Sequence, residues 1–345
     1  MKYIRGDTLM RVKPWIGPKL KRRAGASKWV ASSEFYLCKA RHLLIEMETH
    51  SEKVSLFWKV WPSKSAADQV AFSVTHFGLV GIILFEMLVV LPIYHEPFTQ
   101  WYMIHLVAGL YIAFGVFTNL YSMIFSNSTI TSNALMLPSV LTPGWYYCQH
   151  CQMNAPPRAH HCPICEICVL KRDHHCVFTG NCVGYSNHRY FICMAFYLWL
   201  GSVYTLLFNL DFFSNTFGGF GLFTIFKMVF PAAAFVFGFC SFYQLVILII
   251  SGICFVASFL FTCLMLFQIF FISRGQTQFE CKKKIKHYRK SFLENWVEVL
   301  GYRWYLPLLG YFFSSSLPGN GTHFSVSSFI DLASENAKDI WKMQQ

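Results

Sequence analysis

The chain has 345 residues, of which 54% are hydrophobic, 18% aromatic and 13% charged, with a formal net charge of +12. A soluble domain carries about 25% charged residues, so the composition excludes an ordinary soluble domain and fits a protein that places much of its surface in lipid. Thirteen cysteines do not make it a secreted disulfide scaffold, because that class is short and follows a signal peptide, whereas Met1 to Arg23 is basic and has no apolar core.

The excess positive charge is not spread as in a nucleic-acid binder. It gathers in the N-terminal segment, around a cysteine-rich stretch and after the last apolar run, which is the positive-inside pattern of a polytopic protein. A lipid bilayer with anionic headgroups, and no nucleic acid, is the expected partner.

Residues 1–69 hold fourteen Lys/Arg against six Asp/Glu, with a cluster at Lys21-Arg22-Arg23, and read as a basic cytosolic arm. Leu56 to Trp61 reads as an interfacial lead-in to the membrane. Val70 to Pro92 is long enough to span, since a crossing needs about 20 residues. Glu86 lies inside it and is expected to make a helix–helix hydrogen bond or to sit near the interface. The loop Ile93 to Gln100 has no Lys or Arg and should face the lumen, and Trp101 to Phe125 returns. Residues 70–125 thus hold transmembrane helices 1 and 2. Ser126 to Tyr147 is an uncharged connector with a glycosylation sequon at Asn127 that a cytosolic loop would never use.

The stretch Cys148 to Cys182 contains seven cysteines in a repeat. Cys148, Cys151, His161 and Cys168 follow C-x2-C-x9-H-x6-C, and fourteen residues on the pattern returns as Cys162, Cys165, His175 and Cys182. Each copy is a Cys3His set of the kind that closes a tetrahedral structural zinc site. Zinc-spaced thiols also argue for a reducing, cytosol-facing compartment. One cysteine is left over. Cys176 stands where a third C-x2-C would begin, but Thr179 occupies the partner position. A spare thiol preceded by Asp173 and His174 has the form of a nucleophile, a base and an orienter. The competing assignment has Cys176 exchanging with Cys182 as ligand.

This stretch resembles the cysteine-rich domain of the DHHC protein S-acyltransferases (palmitoyltransferases). The matching residues are Cys148/Cys151, Arg158 to Cys162 (RAHHC), Cys165/Cys168, Asp173 to Cys176 (DHHC) and Asn181 to Phe191 (NCVGxxNxxxF). The family usually follows DHHC with Pro-Trp; here Val177-Phe178 stand instead, with Thr179-Gly180 where Val-Asn is common. That departure bears on acyl-chain preference and rate, and touches no candidate ligand and none of Asp173, His174 and Cys176. The zinc domain is assigned residues 126–189.

Tyr190 to Leu210 is the next span, and Asp211 with Gly218-Gly219 marks a turn. Leu222 to Ile272 is apolar for about fifty residues. The family keeps both zinc domain and tail in the cytosol, so only one further crossing, near Leu245 to Ile272, is expected. Leu222 to Tyr243 is then a lumenal re-entrant or interfacial piece bent at Pro231. Residues 190–273 hold helices 3 and 4, and 274–345 form the cytosolic tail. Thr277-Gln278-Phe279-Glu280 resembles the family's TTxE element, and Asn295 to Gly301 its C-terminal motif. Glu280 and Asn295 are expected to position the zinc domain. Residues 311–345 carry no motif and read as a peripheral tail.

The fold class expected is an all-α polytopic membrane protein, with four transmembrane helices and a zinc-stabilised cytosolic domain. The resemblance implies transfer of a long-chain acyl group from palmitoyl-CoA to cysteines of substrate proteins at the cytosolic membrane face, through an acyl-Cys176 intermediate. It implies two structural Zn2+ and an endomembrane location, Golgi or endoplasmic reticulum. Arg158, Lys171, Arg172 and Arg189 are the cations near the site that would meet the phosphates of CoA. Two alternatives compete: an inactive scaffold that keeps the zinc fold, and a membrane-anchored RING-type ubiquitin ligase. The spacing of Cys176 and Cys182 disfavours the second.

Overall fold

The structure, a computed structural model, describes residues 65–126, 128–130, 144–313 and 315–325. The basic arm, the interfacial segment at Leu56 to Trp61, most of the uncharged connector with its sequon at Asn127, and residues 326–345 lie outside the described residues.

Among the described residues, four helices are long and apolar enough to cross a membrane: Ala66–Tyr94, Gln100–Phe125, His188–Phe217 and Phe242–Ser273. The first is composite, made of α1 (Ala66–Phe85), a π-helical turn (Glu86–Val90) and α2 (Leu91–Tyr94). Pro92 has no N–H to offer the preceding turn, and the helix widens there, with Leu91 N–H donating to the Glu86 carbonyl. The second and third spans are α3 (Gln100–Phe125) and α4 (His188–Phe217). The third runs straight through Asp211, where a turn was expected. It ends at Gly218, whose φ of 71° is the left-handed conformation that stops a helix.

α5 (Leu222–Val229) and α6 (Pro231–Val236) follow. They break at Phe230-Pro231, and neither is long enough to cross. The fourth span, α7 (Phe242–Ser273), opens on a capping box between Ser241 and Gln244. The long apolar stretch therefore contributes one helix long enough to cross, the number the shared side of zinc domain and tail calls for.

The spans carry their apolar residues outward. Phe77 is 77% exposed and Phe259 66%, while Asn209 and Ser258 are buried between helices. This suits helices that are hydrophobic all round and solvated by lipid. Polar groups supply the helix–helix bonds. Asn209 Nδ2 donates to Glu86 Oε1 at 2.5 Å, the bond expected of Glu86, and Ser258 Oγ donates to the Ser202 carbonyl at 2.9 Å.

Between the second and third spans the chain forms three antiparallel hairpins. They are β1 (Tyr146–Cys148) with β2 (Met153–Ala155), β3 (His160–Cys162) with β4 (Ile167–Val169), and β5 (His174–Cys176) with β6 (Asn181–Val183). The fourteen-residue repeat is visible in the backbone. Each hairpin turns through one left-handed residue, Gln152 at φ 51°, Glu166 at 55° and Gly180 at 59°. Only the third is glycine, the residue with least strain there.

After the fourth span come α8 (Gln278–Lys283), α9 (Phe292–Leu300) and α10 (Leu306–Leu309). Thr277 caps α8 and Glu280 closes the box. The Glu280 carboxylate also takes Arg158 from the zinc domain in a fork, Nε at 2.6 Å and Nη2 at 2.8 Å. Glu298 of α9 accepts from Arg158 Nη1 at 2.5 Å and pairs with Lys171 and Lys290, each at 2.8 Å. The Arg158 guanidinium lies 4.8 Å from the Tyr288 ring centre and 4.9 Å from that of Phe324. Zinc domain and post-span segment are thus joined, and lie on one side of the helices. Asn295 acts elsewhere than expected: its Nδ2 donates to the Ser273 carbonyl at the end of the fourth span, at 3.1 Å.

Removing one partner of a buried ion cluster costs about 3–5 kcal/mol. Burial raises the pKa of Glu298, but Lys171 and Arg158 outweigh it and hold the group well below the usual carboxylate range. A depressed carboxyl stabilises above its unfolded pKa and loses that contribution as pH falls toward its folded value. Glu298→Ala should therefore lower the thermal unfolding midpoint in detergent at pH 7, with a deficit that narrows below about pH 4. An unchanged midpoint at neutral pH would contradict the role given to this cluster.

Candidate active site

The first metal cluster draws Cys148 and Cys151 from the first hairpin, and His161 and Cys168 from the second. The second cluster draws Cys162 and Cys165 from the second hairpin, and His175 and Cys182 from the third. In each, the histidine stands directly across the ladder from the last cysteine, His161 opposite Cys168 and His175 opposite Cys182. The interleaving read from the spacing is thus a hand-over, in which each cluster staples one hairpin to the next.

The donor atoms fit a tetrahedral ion. Zn–S bonds of about 2.3 Å and Zn–N bonds of about 2.0 Å imply ligand edges of roughly 3.5–3.8 Å. Observed edges bracket that range, from 3.2 Å for Cys151 Sγ to His161 Nδ1 and 3.3 Å for Cys165 Sγ to His175 Nδ1, through 3.6 Å for Cys165 to Cys182 and 3.7 Å for Cys182 Sγ to His175 Nδ1, to 3.9 Å for Cys162 Sγ to His175 Nδ1. Three thiols and an imidazole suit zinc, and the two sets are closed, with no position left for substrate.

Asp68 was not singled out by the sequence. It sits in the first turn of the first span, its N–H accepted by Ser65. Its buried carboxylate lies 3.3 Å from His175 Nε2. A carboxylate on the far nitrogen of a metal-binding histidine fixes the tautomer and raises ligand basicity. The second cluster is thereby tied to the membrane helices.

Cys176 belongs to neither cluster. It occupies, in the third hairpin, the place of Cys148 and Cys162 in the first two, and Thr179 occupies that of Cys151 and Cys165. The turn is kept without metal. Gln152, Glu166 and Gly180 each stand four residues after Cys148, Cys162 and Cys176 with positive φ, although the closing bond differs: Thr179 N–H donates to the Cys176 carbonyl at 3.2 Å, and Glu166 N–H, one position later in its turn, to that of Cys162 at 2.7 Å. The exchange of Cys176 with Cys182 is not what the structure shows, since Cys182 is the sulfur in contact with Cys165.

The Cys176 side chain packs in a cluster with Leu120, Met123, Phe191, Ile272 and Trp296, where the spans meet the zinc domain. Its two neighbours in the motif complete a chain. His174 Nδ1 is 2.7 Å from Asp173 Oδ2, and its ring meets the edge of Phe191 with centroids 4.8 Å apart. The other Asp173 oxygen accepts the Gln278 N–H at 2.7 Å, so the TTxE-like turn holds the aspartate.

Burial alone would raise the pKa of Asp173, but His188 and His174 hold it well below the usual carboxylate range. Burial would lower that of His174, but Asp173 and Cys176 push it up to about 9. Burial would raise that of Cys176, yet the bond from His174 brings it below its ordinary value. The arrangement favours an imidazolium–thiolate pair. His188, buried beside Asp173, carried no signal in the sequence beyond following the NCVGxxN motif. Asn181 and Asn187 of that motif are structural. Asn187 Nδ2 donates to the Cys182 carbonyl and its Oδ1 accepts from Gly184 and Ser128. Asn181 reaches the end of α3.

The cations divide. Arg158 and Lys171, expected against phosphate, are 1% and 5% exposed in their side chains and committed to Glu280 and Glu298. They have no free face for CoA. Arg172 is half-buried, with its guanidinium over Phe279 at 5.3 Å. Arg189 is two residues from Phe191, so the two side chains point to nearly opposite sides of α4, and Arg189 faces away from His174.

Among the spans lies an elongated apolar cavity. Leu79 and Ile82 line it from the first span, Ala113 and Val116 from the second, Leu198 and Gly201 from the third, and Ala257 from the fourth. Glu86 and Tyr204 form its more polar end.

A thiol beside an Asp–His pair, in a domain with two metal-capable Cys3His sets and packed against helices long enough to cross a membrane, is an arrangement suited to a membrane-embedded thiol enzyme. Comparison with known proteins says which. The DHHC palmitoyltransferase family matches residues 142–285. A probable palmitoyltransferase ZDHHC24 of Danio rerio is 31% identical over 234 residues, covering 68% of this chain and 79% of that one. Its Homo sapiens namesake is 31% identical over 199 residues, covering 55% and 67%, and that of Mus musculus 28% over 201 residues, covering 56% and 68%. The chain belongs to the DHHC palmitoyltransferase family, and its activity is that of a protein-cysteine S-palmitoyltransferase.

Loss of a carboxylate behind a metal-binding histidine costs roughly 10–100-fold in metal affinity. Asp68→Asn should release one zinc equivalent to a competing chelator that much more readily, read by a colorimetric zinc indicator, with the other retained. Release indistinguishable from the native protein would remove Asp68 from the site.

Proposed function

We propose that Cys176 is the residue that carries the acyl group, with long-chain acyl-CoA as donor. The observation that carries this reading is the third hairpin, which keeps the turn of a metal knuckle but leaves its cysteine unligated and beside an Asp173–His174 pair. Thiolate Sγ attacks the thioester carbonyl of the donor, the carbon–sulfur bond to CoA breaks, and the CoA thiolate takes the proton held by His174. His174 then accepts the proton of a substrate cysteine, whose sulfur attacks acyl-Cys176 and leaves acylated as Cys176 returns to thiolate. One thioester is exchanged for another at each step, so the enzyme's task is placement and activation rather than driving force.

The acyl chain is assigned to the intramembrane cavity, where burial in hydrocarbon gives about 0.8 kcal/mol per methylene. Of the four cations first considered for the phosphates of CoA, Arg172 is the one that supports the assignment. The two Cys3His sets are assigned structural zinc, and zinc here would supply rigidity to a domain with little apolar core of its own. The active site is assigned to the cytosolic face, where thiols stay reduced and substrate proteins with cysteines near the membrane are met. An endomembrane setting, Golgi or endoplasmic reticulum, goes with the family resemblance.

Purified protein given labelled palmitoyl-CoA should take up a hydroxylamine-sensitive label that Cys176→Ala abolishes at unchanged zinc content. His174→Ala should slow labelling by roughly 10²–10⁴-fold, the usual weight of general acid–base assistance. Label that persists without Cys176 would end the proposal. For the cavity, Ala113→Phe should shift donor preference toward shorter acyl-CoA in competition between chain lengths. Unaltered selectivity would place the chain elsewhere.

A further inference from the structure

A second cavity, of about 880 Å³, lies between the start of α4 and the segment that follows α9. Arg189, Arg303, Tyr190, Tyr302 and Asn119 line it, and no Asp or Glu does among the described residues. Arg189 is held in place by its Nη1 bond to the Ser315 carbonyl at 2.6 Å and by Nη2 to the Tyr190 hydroxyl at 3.2 Å. Its buried Nε has no hydrogen-bond partner among the described residues. Arg303 and Tyr302 are exposed. The cavity therefore offers two guanidinium groups and aromatic hydroxyls without an acid to neutralise them.

Its depth in the bilayer distinguishes it from a surface patch. The Tyr197 hydroxyl donates to the Leu308 carbonyl at 3.2 Å, and that of Tyr111 to the Leu309 carbonyl. Phe312 stacks on Phe114 of the second span with ring centres 5.6 Å apart. Phe114 precedes the end of that span, Phe125, by about 16 Å of helix axis. The segment from α10 to Phe313 thus dips into the apolar layer, and Phe312 is 80% exposed where lipid would lie. The cavity has arginines toward the zinc-domain side and an apolar wall of Pro307, Phe312 and Phe313 below. A soluble anion has no use for that lower wall. A lipid does.

We propose that this cavity binds the headgroup of a membrane lipid bearing a phosphomonoester, of the phosphoinositide class, from the leaflet on the zinc-domain side. A phosphomonoester carries about −1.5 to −2 charge and three acceptor oxygens near neutral pH, and guanidinium forks are matched to such a group. The proposal rests on the cytosolic orientation assigned above but needs no role for Cys176, because Arg189 faces away from His174.

The test uses the full chain in detergent, titrated with dioctanoyl phosphatidylinositol 4-phosphate and followed by native mass spectrometry. One saturable adduct is expected. It should be weakened about tenfold in Arg303→Gln and again in Arg189→Gln, and be unaffected by an excess of coenzyme A, the other source of a phosphomonoester in this system. Dioctanoyl phosphatidylserine should bind at least about tenfold less tightly. Zinc content reports folding of both variants, and Arg303, exposed and bonded through its backbone alone among the described residues, is the safer one. Equal binding by Arg303→Gln, or equal binding of phosphatidylserine, overturns the proposal. Displacement by coenzyme A also overturns it, by giving the cavity to the acyl donor. Label transfer from palmitoyl-CoA is expected to survive in Arg303→Gln, so lipid binding with no labelling of the native protein would sink the catalytic reading alone.

Discussion

A metal-binding hairpin written three times with ligands for only two ions is the constraint from which the site follows. Each cluster takes a C-x2-C turn from one hairpin and a cross-strand His/Cys pair from the next. The third hairpin gives up its pair to the second cluster and finds no fourth hairpin to complete its own turn. Its first cysteine position, Cys176, is therefore left as a thiol in a geometry that metal bonds in the two neighbouring sets would fix. A small domain built of three-residue strands could not otherwise hold a side chain rigidly. The proposed nucleophile is, in structural terms, a ligand position outside both metal sets.

The domain must also be held against the membrane. Asp68 reaches His175 from the first span, Asn181 reaches the end of the second, and Arg158 with Lys171 locks to Glu280 and Glu298 after the fourth. The turn before α8 adds the hydrogen bond to Asp173. The segment beyond the last span thus holds Asp173, the proposed orienting aspartate, and all of these contacts stand beside Val177-Phe178 in place of Pro-Trp. Phe178, half exposed, lies just past the nucleophile.

What the sequence made legible was what repeats or what is local. The metal sets and the surplus cysteine came from spacing alone, because both sit within a single short stretch. The four crossings came from length together with the requirement that zinc domain and tail share a side. What depends on distant partners was not legible. Arg158 and Lys171 read as phosphate contacts because their charge is visible in a sequence, while Glu280 and Glu298, 122 and 140 residues from Arg158, are not visibly theirs. Asp68 stands 107 residues from His175 and looked like one acid in a basic arm. The turn read at Asp211 and Gly218-Gly219 falls at the glycines, where left-handed Gly218 stops the helix, while Asp211 is carried inside the last turns of a span that tolerates one polar residue near its boundary.

The central claim is that Cys176 is a released ligand position and Cys182 a true ligand. Zinc per chain in purified Cys176→Ala and Cys182→Ala, measured by mass spectrometry of the metal, tests it most directly. The account predicts two zinc ions retained in Cys176→Ala and one lost from Cys182→Ala. Loss of zinc from Cys176→Ala, with Cys182→Ala intact, would contradict it.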